Sequence, residues 1–431
     1  MKIFNVIMYL FCGINLMGQA NLLSLDQAIL EGVQNNLGIK IIKQDEEIAT
    51  INNHWVNAGA YPEIIASMNP SISSNNLDQK LSNGTNIHSN NVLFKNSNAD
   101  LKLNWNVFNG FKVFATKEKL KQLQDIGSLN VKQSINELIY NIILTYTDIL
   151  RLQEQIGVVK EQINIANIRL GIQQKKFDLG TTGKPELIAA QIDHNELLNL
   201  QLNLTRDQQN KKSLLEHLMG RTEEDKRQIQ DSIQLIPLAP LNDYLIQLSN
   251  QSPELLMAYK DLEITKLNKK EINALKYPNV NLIAAYNFNR SQNEAGFSLL
   301  NQSYGPQGLI NISIPIYNGG YIRRQSRVAD VQIKKKELSL EELLDNSRMI
   351  LRQNYQSYLS LLEQIEITKK NLALAQENLN IAIQKLQFQS IGIVEFRQIQ
   401  FDVIEINTKL YDLKYEAKRL ASNIYLITGS F

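Results

Sequence analysis

The sequence repeats itself at a fixed interval, and this duplication limits the possible folds more than any other feature. A shift of 209 positions aligns much of the two halves without a gap, and a shift of 216 aligns Tyr61-Pro62 with Tyr277-Pro278. The 209-residue shift pairs Asn109-Gly110 with Asn318-Gly319, Tyr146 with Tyr355, Gly183 with Gly392, Glu186 with Glu395, Asp193 with Asp402, and Gly220 with Gly429. Self-similarity of this kind indicates repeated structural units. We therefore divide the chain into a first repeat at 21–220, a linker at 221–240 and a second repeat at 241–431.

Long helices are predicted in both repeats, near 111–178 and 320–387. Neither stretch contains proline, and apolar residues recur there at steps of three and four, which is coiled-coil spacing. In the second repeat these residues include Leu351, Tyr355, Tyr358, Leu362, Leu372, Ala375, Leu379, Ala382 and Leu386. At 1.5 Å per residue, each helix would be roughly 100 Å long. Turns near 178–185 and 388–394 are expected to lead into shorter helices that end at Gly220 and Gly429.

Two strands are predicted before each long helix. Helical segments near 24–59 and 241–275 come first and end at Tyr-Pro, because proline stops a helix and restricts the residue before it. Apolar and polar residues then alternate, which puts them on opposite faces of a strand. We expect strands of about ten residues, joined by polar loops near 74–98 and 290–308.

Four amphipathic strands of this length can cross an outer membrane when tilted. They cannot close on themselves, and open strand edges are not tolerated in lipid, so several chains would share one barrel. The candidate lipid-facing residues are Leu103, Trp105, Val107, Ile312 and Ile314, with Ile312 expected near the membrane centre. A soluble packing of two sheets is the alternative.

The first twenty residues have the pattern of a secretory signal peptide. Lys2 precedes an apolar run from Ile3 to Leu16, and Gly18-Gln19-Ala20 places small residues where cleavage after Ala20 requires them. A buried first helix is the alternative interpretation. The single cysteine, Cys12, lies inside this segment, so the mature chain would have neither disulfides nor thiol chemistry.

Motifs for catalysis or cofactor binding are not found in the sequence. The four histidines have no metal-ligand spacing, and no phosphate loop, dinucleotide fingerprint or nucleophile elbow occurs. The net charge of +2 is too balanced to indicate nucleic-acid binding. We therefore expect a protein that is not an enzyme and has no cofactor or metal.

Several motifs, each found in its expected place, resemble those of the TolC-like outer membrane efflux protein family. They are Leu25-Asp26-Gln27-Ala28, Val107-Phe108-Asn109-Gly110, Pro315-Ile316-Tyr317-Asn318-Gly319-Gly320 and Phe177-Asp178-Leu179-Gly180. The resemblance covers nearly the whole mature chain. It implies an α+β fold: a homotrimer with a twelve-stranded outer-membrane β-barrel, four strands per chain, continued by a coiled-coil helical tunnel through the periplasm. The alternative function is a secreted coiled-coil scaffold without a barrel.

The resemblance also implies partners at the helical hairpin tips. Family members dock there on a periplasmic adaptor (a membrane fusion protein) tied to an inner-membrane pump, for efflux or type I secretion. Leu179, Gly180 and Thr181 match the family's docking motif, and Phe388, Gln389 and Ser390 occupy the same register in the second tip. Gln389 replaces the usual glycine, so the second tip is expected to dock differently or more weakly, and Gly392 is the candidate to supply the turn instead.

In the family, acidic residues of the second hairpin ring the tunnel entrance. The register places Glu395 on the first ring position and Gln398 on the second. The tyrosine and arginine that help to lock this end in relatives fall on Leu386 and Ile391, so apolar contacts from Leu386, Phe388 and Ile391 are expected to close it. The alternative for Glu395 is a simple helix start, where a carboxylate is favoured.

Overall fold

The same order of elements occurs twice along the chain. The computed structural model describes residues 22–221, 227–229, 232–235, 237–388 and 390–431; the predicted signal peptide at 1–20 and Gln389 lie outside the described residues. The first repeat contains α1 (Leu25–Asn35), α2 (Leu37–Asn52), β1 (Glu63–Lys80), β2 (Asn86–Asn109), α3 (Lys112–Asp178) and α4 (Lys184–Leu218). The second contains α5 (Leu241–Gln251), α6 (Pro253–Ala274), β3 (Asn279–Asn293), β4 (Leu300–Ser313), α7 (Tyr321–Gln387) and α8 (Ile393–Thr428). The long helices α3 and α7 agree with their predicted bounds to within one residue.

The strands are longer and the loops shorter than predicted. β1 and β2 have 18 and 24 residues, and the segments expected as loops at 74–98 and 290–308 are mostly strand. These segments carry polar residues on both faces, so they show no alternation of apolar and polar side chains. Backbone hydrogen bonds between neighbouring strands hold them nonetheless.

The opening helical segments, predicted as continuous, are each broken in two. Asn36 separates α1 from α2, and its side-chain oxygen accepts a hydrogen bond from the backbone N–H of Ile39. Ser252 separates α5 from α6 because it precedes Pro253, which disfavours the helical conformation at the residue before it. The C-terminal end of α4 packs against the first break, and that of α8 packs against the second.

Gly220 and Gly429 end the shorter helices against these breaks. Each has φ of +71°. A Cβ on Gly220 would lie 2.6 Å from the carbonyl oxygen of Asn35, and one on Gly429 would lie 2.6 Å from that of Gln251. The Asn36 side chain also donates to the carbonyl oxygen of Leu218 at 3.0 Å. Only glycine combines this conformation with so close a backbone approach, which explains the conserved register of the two glycines within the chain.

Two compact units divide the chain, and each takes segments from both repeats. The first consists of Met1–Gln44, Leu129–Leu256 and Glu342–Phe431, and the second of Asp45–Ser128 and Met257–Glu341. The second unit contains the sheet, and the first contains the hairpin tips. The repeat boundaries at 21–220 and 241–431 therefore describe the order along the chain rather than these units.

The helices of the first unit are held by buried apolar clusters at the predicted three-and-four spacing. Tyr358 and Ile365 of α7 pack with Leu410 and Ala417 of α8. Fully burying one such large apolar side chain contributes about 1.5–3 kcal/mol. Among the residues described by the structure, no helix has both the length and the apolar character needed to cross a membrane.

Candidate functional site: the sheet faces and the hairpin tips

The four-stranded sheet has two chemically different faces. Its strands pair antiparallel in the order β1-β2-β3-β4, and directly paired residues project from the same face. One face carries the rows Trp105–Leu282–Ile310, Ile64–Leu103–Ala284, Ala66–Leu101–Tyr286–Pro306 and Met68–Ala99–Phe288–Tyr304. The other carries the polar rows Asn106–Asn281–Asn311, Ser67–Asp100–Asn287 and Asn69–Asn98–Asn289–Ser303, and two mixed rows, Glu63–Asn104–Ile283–Leu309 and Ile65–Lys102–Ala285–Gln307. A wall between lipid and a wet lumen requires this division.

Three of the five predicted lipid-facing residues lie on the apolar face. A fifth apolar row, Phe108–Val280–Ile312, precedes that of Trp105, so Leu103 occupies the third of five rows and lies at the centre of the apolar band. Ile312, paired with Val280 one residue before β4 ends, lies at the margin of this band. Its expected place near the membrane centre is therefore better filled by Leu103.

The remaining two predicted lipid-facing residues fall outside the regular pairing. Val107 is the extra residue of a bulge between Asn106 and Phe108, so Phe108 takes the position opposite Val280. A bulge adds one residue to one strand and shifts the alternation of faces beyond it. Ile314 follows the last residue of β4 and is exposed.

The two outer strands of the sheet have open edges. β1 pairs only with β2, and β4 pairs only with β3, among the strands that the structure describes. An unpaired strand edge presents backbone N–H and C=O groups that need partners, above all inside a lipid bilayer.

The first hairpin tip, residues 179–183 between α3 and α4, exposes an apolar side chain beside bare backbone. Gly180 has φ of +67°, a conformation that favours glycine, and no other group lies within 4 Å of where its Cβ would be. Leu179 is 78% exposed. The backbone N–H and the hydroxyl of Thr181 both donate to the carbonyl oxygen of Lys176, at 2.8 and 3.0 Å.

The second tip, residues 388–392 between α7 and α8, repeats the hydroxyl cap of the first. The backbone N–H and the hydroxyl of Ser390 donate to the carbonyl oxygen of Lys385, at 2.9 and 3.2 Å. Phe388 is 81% exposed. The expectation that Gly392 supplies the turn is wrong: its φ is −73°, because it caps the start of α8 and such residues are extended. The position equivalent to Gly180 is Gln389, outside the described residues.

The residues assigned to the tunnel entrance divide between exposed and buried positions. Glu395 is exposed in the first turn of α8, and Gln398 donates to the Asp402 carboxylate at 2.7 Å. Leu386 is buried inside the chain and packs in one cluster with Phe396 and the partly buried Ile391. The expectation that Leu386 closes the entrance is therefore wrong, because its helical position faces α8.

The sequence of this chain matches a known protein family. A model of the family described as outer membrane efflux protein matches residues 33–221 and 245–430. The chain belongs to this outer membrane efflux protein family. The motif-based resemblance is thereby confirmed, and the protein is an efflux channel of the outer membrane.

Solved structures of outer membrane channels share this fold. The chain is 16% identical to the CusC transmembrane channel, with a TM-score of 0.75 and coverage of 94% of this chain and 92% of that one. The chain is 15% identical to the Campylobacter jejuni CmeC channel, with a TM-score of 0.78 and coverage of 94% of this chain and 85% of that one. It is also 15% identical to the VceC outer membrane protein of Vibrio cholerae, with a TM-score of 0.72 and coverage of 94% of this chain and 96% of that one. These likenesses show that the chain has the TolC-like α+β fold of one channel protomer. A comparison with curated proteins gives no match.

A buried ionic cluster of this efflux protein was missed by the sequence reasoning. Arg169 of α3 is completely buried and pairs with Asp193 of α4, while two of its guanidinium nitrogens, Nε and Nη1, have no hydrogen-bond partner among the described residues. Arg397 of α8 lies 3.3 Å from the other oxygen of Asp193. The cluster therefore links three helices. Its sequence signal was Arg169, which comes three residues after the core residue Ala166 and so falls on the coiled-coil core.

The channel family and fold support a role that is not enzymatic. Within the described ranges, no group of three or more His, Cys, Asp or Glu side chains is arranged to hold a metal ion.

Proposed function

We propose that three copies of this protein form one exit duct of a tripartite efflux or type I secretion system. In this proposal, a periplasmic adaptor and an inner-membrane pump deliver small molecules or proteins to the duct. The observation that carries the proposal is the two-faced sheet with two open edges. β1 of one copy and β4 of the next would satisfy each other's edges, and three copies would contribute twelve strands.

The sheet also argues against the secreted scaffold. A scaffold in water has no use for an apolar sheet face of this extent, in which Met68 is 72% exposed and Tyr304 is 69% exposed. A lipid environment removes that exposure.

Native mass measurement after membrane fractionation tests the proposed assembly. We expect the protein in the outer-membrane fraction and, after detergent extraction, a mass of three chains. A monomer under native conditions would contradict the shared barrel, and a soluble protein would favour the scaffold.

The exposed tips support docking of the adaptor. We expect Gly180→Arg to abolish transport while trimer mass and membrane level stay normal, because the large side chain would cover the bare backbone beside Leu179. Arginine at a positive φ also costs roughly 1–2 kcal/mol of local strain. Transport of a known efflux substrate from intact cells measures the effect.

Gly84→Arg is the matched control for the docking variant. Gly84 lies in the turn between β1 and β2, has φ of +87°, and likewise has nothing within 4 Å of where its Cβ would be. The strain is therefore similar, but the site is distant from the tips in the chain. Normal transport by Gly180→Arg, or equal loss in both variants, would refute the docking role.

The exposed Glu395 supports a ring of three carboxylates at the tunnel entrance. Three such charges about 7 Å apart would repel by about 1 kcal/mol per pair at an intermediate dielectric constant and would attract cations. In planar bilayers, we expect Glu395→Gln to lower cation selectivity and weaken block by divalent cations added on the periplasmic side. Glu186→Gln, the equivalent position of the first repeat, should change neither quantity. If Glu395→Gln also matches wild type, only the helix-start role remains.

A further inference from the structure

A cavity lies in the second unit where the sheet gives way to the helices. Its volume is about 410 Å³, and it lies between the start of α3 and the end of α6. The apolar lining includes Phe111, Phe114, Leu267 and Tyr277, and Lys270 lies among the lining residues. Phe111, Phe114 and Tyr277 are 62%, 61% and 54% exposed. We call this cavity the junction groove.

Phe111 occupies its place in the groove at a conformational cost. Its φ is +66°, which is rare for an aromatic residue, and the equivalent position of the second repeat is Gly320 at φ +73°. Glycine would adopt this conformation without strain. A bulky residue that persists in a strained conformation indicates that the side chain has a use at that place.

Basic side chains near the groove have no acidic partners. Lys112, Lys270, Arg323 and Arg327 are exposed and form no ion pair with any residue that the structure describes. Among the described residues, Arg324 donates only to the carbonyl oxygen of Gly319. The start of α7 is close to the groove, since the Ser326 hydroxyl donates to Asn273, another lining residue.

Some other charges in this region are paired. Two cations further along α7 have partners: Lys334 lies 3.4 Å from Glu337, and Lys336 lies 2.7 Å from Asp261. Glu118, a carboxylate that lines the groove, accepts a hydrogen bond from Gln122 at 2.9 Å. Glu118 has no ion-pair partner among the described residues, so the unpaired groups around the groove are this one carboxylate and the four cations Lys112, Lys270, Arg323 and Arg327, and their net charge is positive.

We propose that the junction groove binds an anionic membrane phospholipid. The apolar part of the lipid would lie along Phe111, Phe114 and Tyr277, and its phosphate would lie at Lys270 and the arginines of α7. The groove has a binding surface for each part of such a lipid: apolar walls for the acyl chains, and unpaired cations that attract an anionic headgroup. It adjoins the margin of the apolar sheet face, marked by Phe108, whose ring lies 5.2 Å from that of Phe111. The proposal rests on the placement of that face in lipid.

Tryptophan fluorescence can test lipid binding in the groove, because Trp55 contacts a lining residue and its emission is quenched by a brominated lipid bound nearby. The rings of Trp55 and Phe114 lie 5.8 Å apart, and the chain has only two tryptophans. Trp105→Phe therefore leaves Trp55 as the single emitter. The protein is reconstituted in vesicles that contain phosphatidylglycerol or phosphatidylcholine with brominated acyl chains, at equal mole fractions. We expect half-maximal quenching at a mole fraction of brominated phosphatidylglycerol at least roughly fivefold lower than that of brominated phosphatidylcholine, since a single nearby cation favours anionic lipid by about this factor.

A charge-matched pair of variants separates the groove from general surface charge. In the Trp105→Phe background, Lys270→Gln, Arg323→Gln and Arg327→Gln together should remove the preference for phosphatidylglycerol. Lys335→Gln, Arg352→Gln and Lys370→Gln remove the same charge from exposed positions further along α7 and should leave the preference intact. Insertion and conductance in planar bilayers confirm that each variant is assembled.

Four outcomes would overturn the lipid site. The first two are equal quenching by both brominated lipids and a preference for phosphatidylglycerol that survives in the groove variant. The third is the absence of quenching by either lipid, because a second copy covers the groove. The fourth is loss of the preference in inorganic phosphate but not in sodium chloride of equal ionic strength. A protein that inserts and conducts but shows any of these results refutes only the lipid site. A protein that does not insert refutes the proposed channel placement.

Discussion

Replacement of Asp193 by alanine is expected to lower the free energy of unfolding by about 3–5 kcal/mol, which is the effect of leaving one partner of a buried ion pair uncompensated. Asp193 is 4% exposed and is the only carboxylate paired with the completely buried Arg169 among the residues that the structure describes. Because two guanidinium nitrogens of Arg169 already lack hydrogen-bond partners among the described residues, removal of Asp193 would leave this buried charge without its counterion.

Asp402→Ala is the matched control, since Asp402 occupies the equivalent position in the second repeat. Asp402 is partly exposed and accepts a hydrogen bond from Gln398, so its loss should cost well under half as much. Denaturant unfolding of the detergent-solubilised protein, with trimer mass checked at each step, measures both variants. Arg169→Met added to Asp193→Ala should recover part of the stability. An equal loss in the two single variants would show that the buried pair does not hold the helices.

Leu103→Arg should have the second largest effect, about 2–4 kcal/mol per chain, because it places a charge near the middle of the lipid-facing band. Leu103 lies in the central apolar row, between Ile64 and Ala284. Ile312→Arg should cost only about 0–1 kcal/mol, because Ile312 lies at the margin of the band and charged residues are tolerated better near the interface.

Asn104→Arg provides the control on the opposite face of the same strand. Asn104 pairs with Glu63 and Ile283 rather than with the apolar row, so its side chain would project into the wet lumen. The three variants are compared by the amount of assembled trimer in the outer-membrane fraction and by the free energy of unfolding in detergent and lipid. Equal effects of Leu103→Arg and Asn104→Arg would show that the sheet does not separate lipid from water.

The missed features share a physical cause: they depend on contacts that a local pattern does not carry. The strand segments at 74–98 and 290–308 have polar residues on both faces, so alternation could not reveal them. The bulge at Val107 changes the face of Phe108 through pairing with β3. Leu386 is the exception: its own three-and-four spacing predicts a core position between α7 and α8, and only the family register places it at the entrance.

The sequence alone determined the duplicated order of elements, the two 67-residue helices, the turns and the glycine-ended shorter helices. These features come from local periodicity, proline placement and backbone conformation, which act within a few residues. Only the tertiary structure shows which strand residues share a face, that α8 brings the exposed Arg397 to the buried Asp193, and that α3 and α6 form a groove beside unpaired cations. Each of these depends on residues far apart in the chain, whose register is set when the elements pack together rather than when they form.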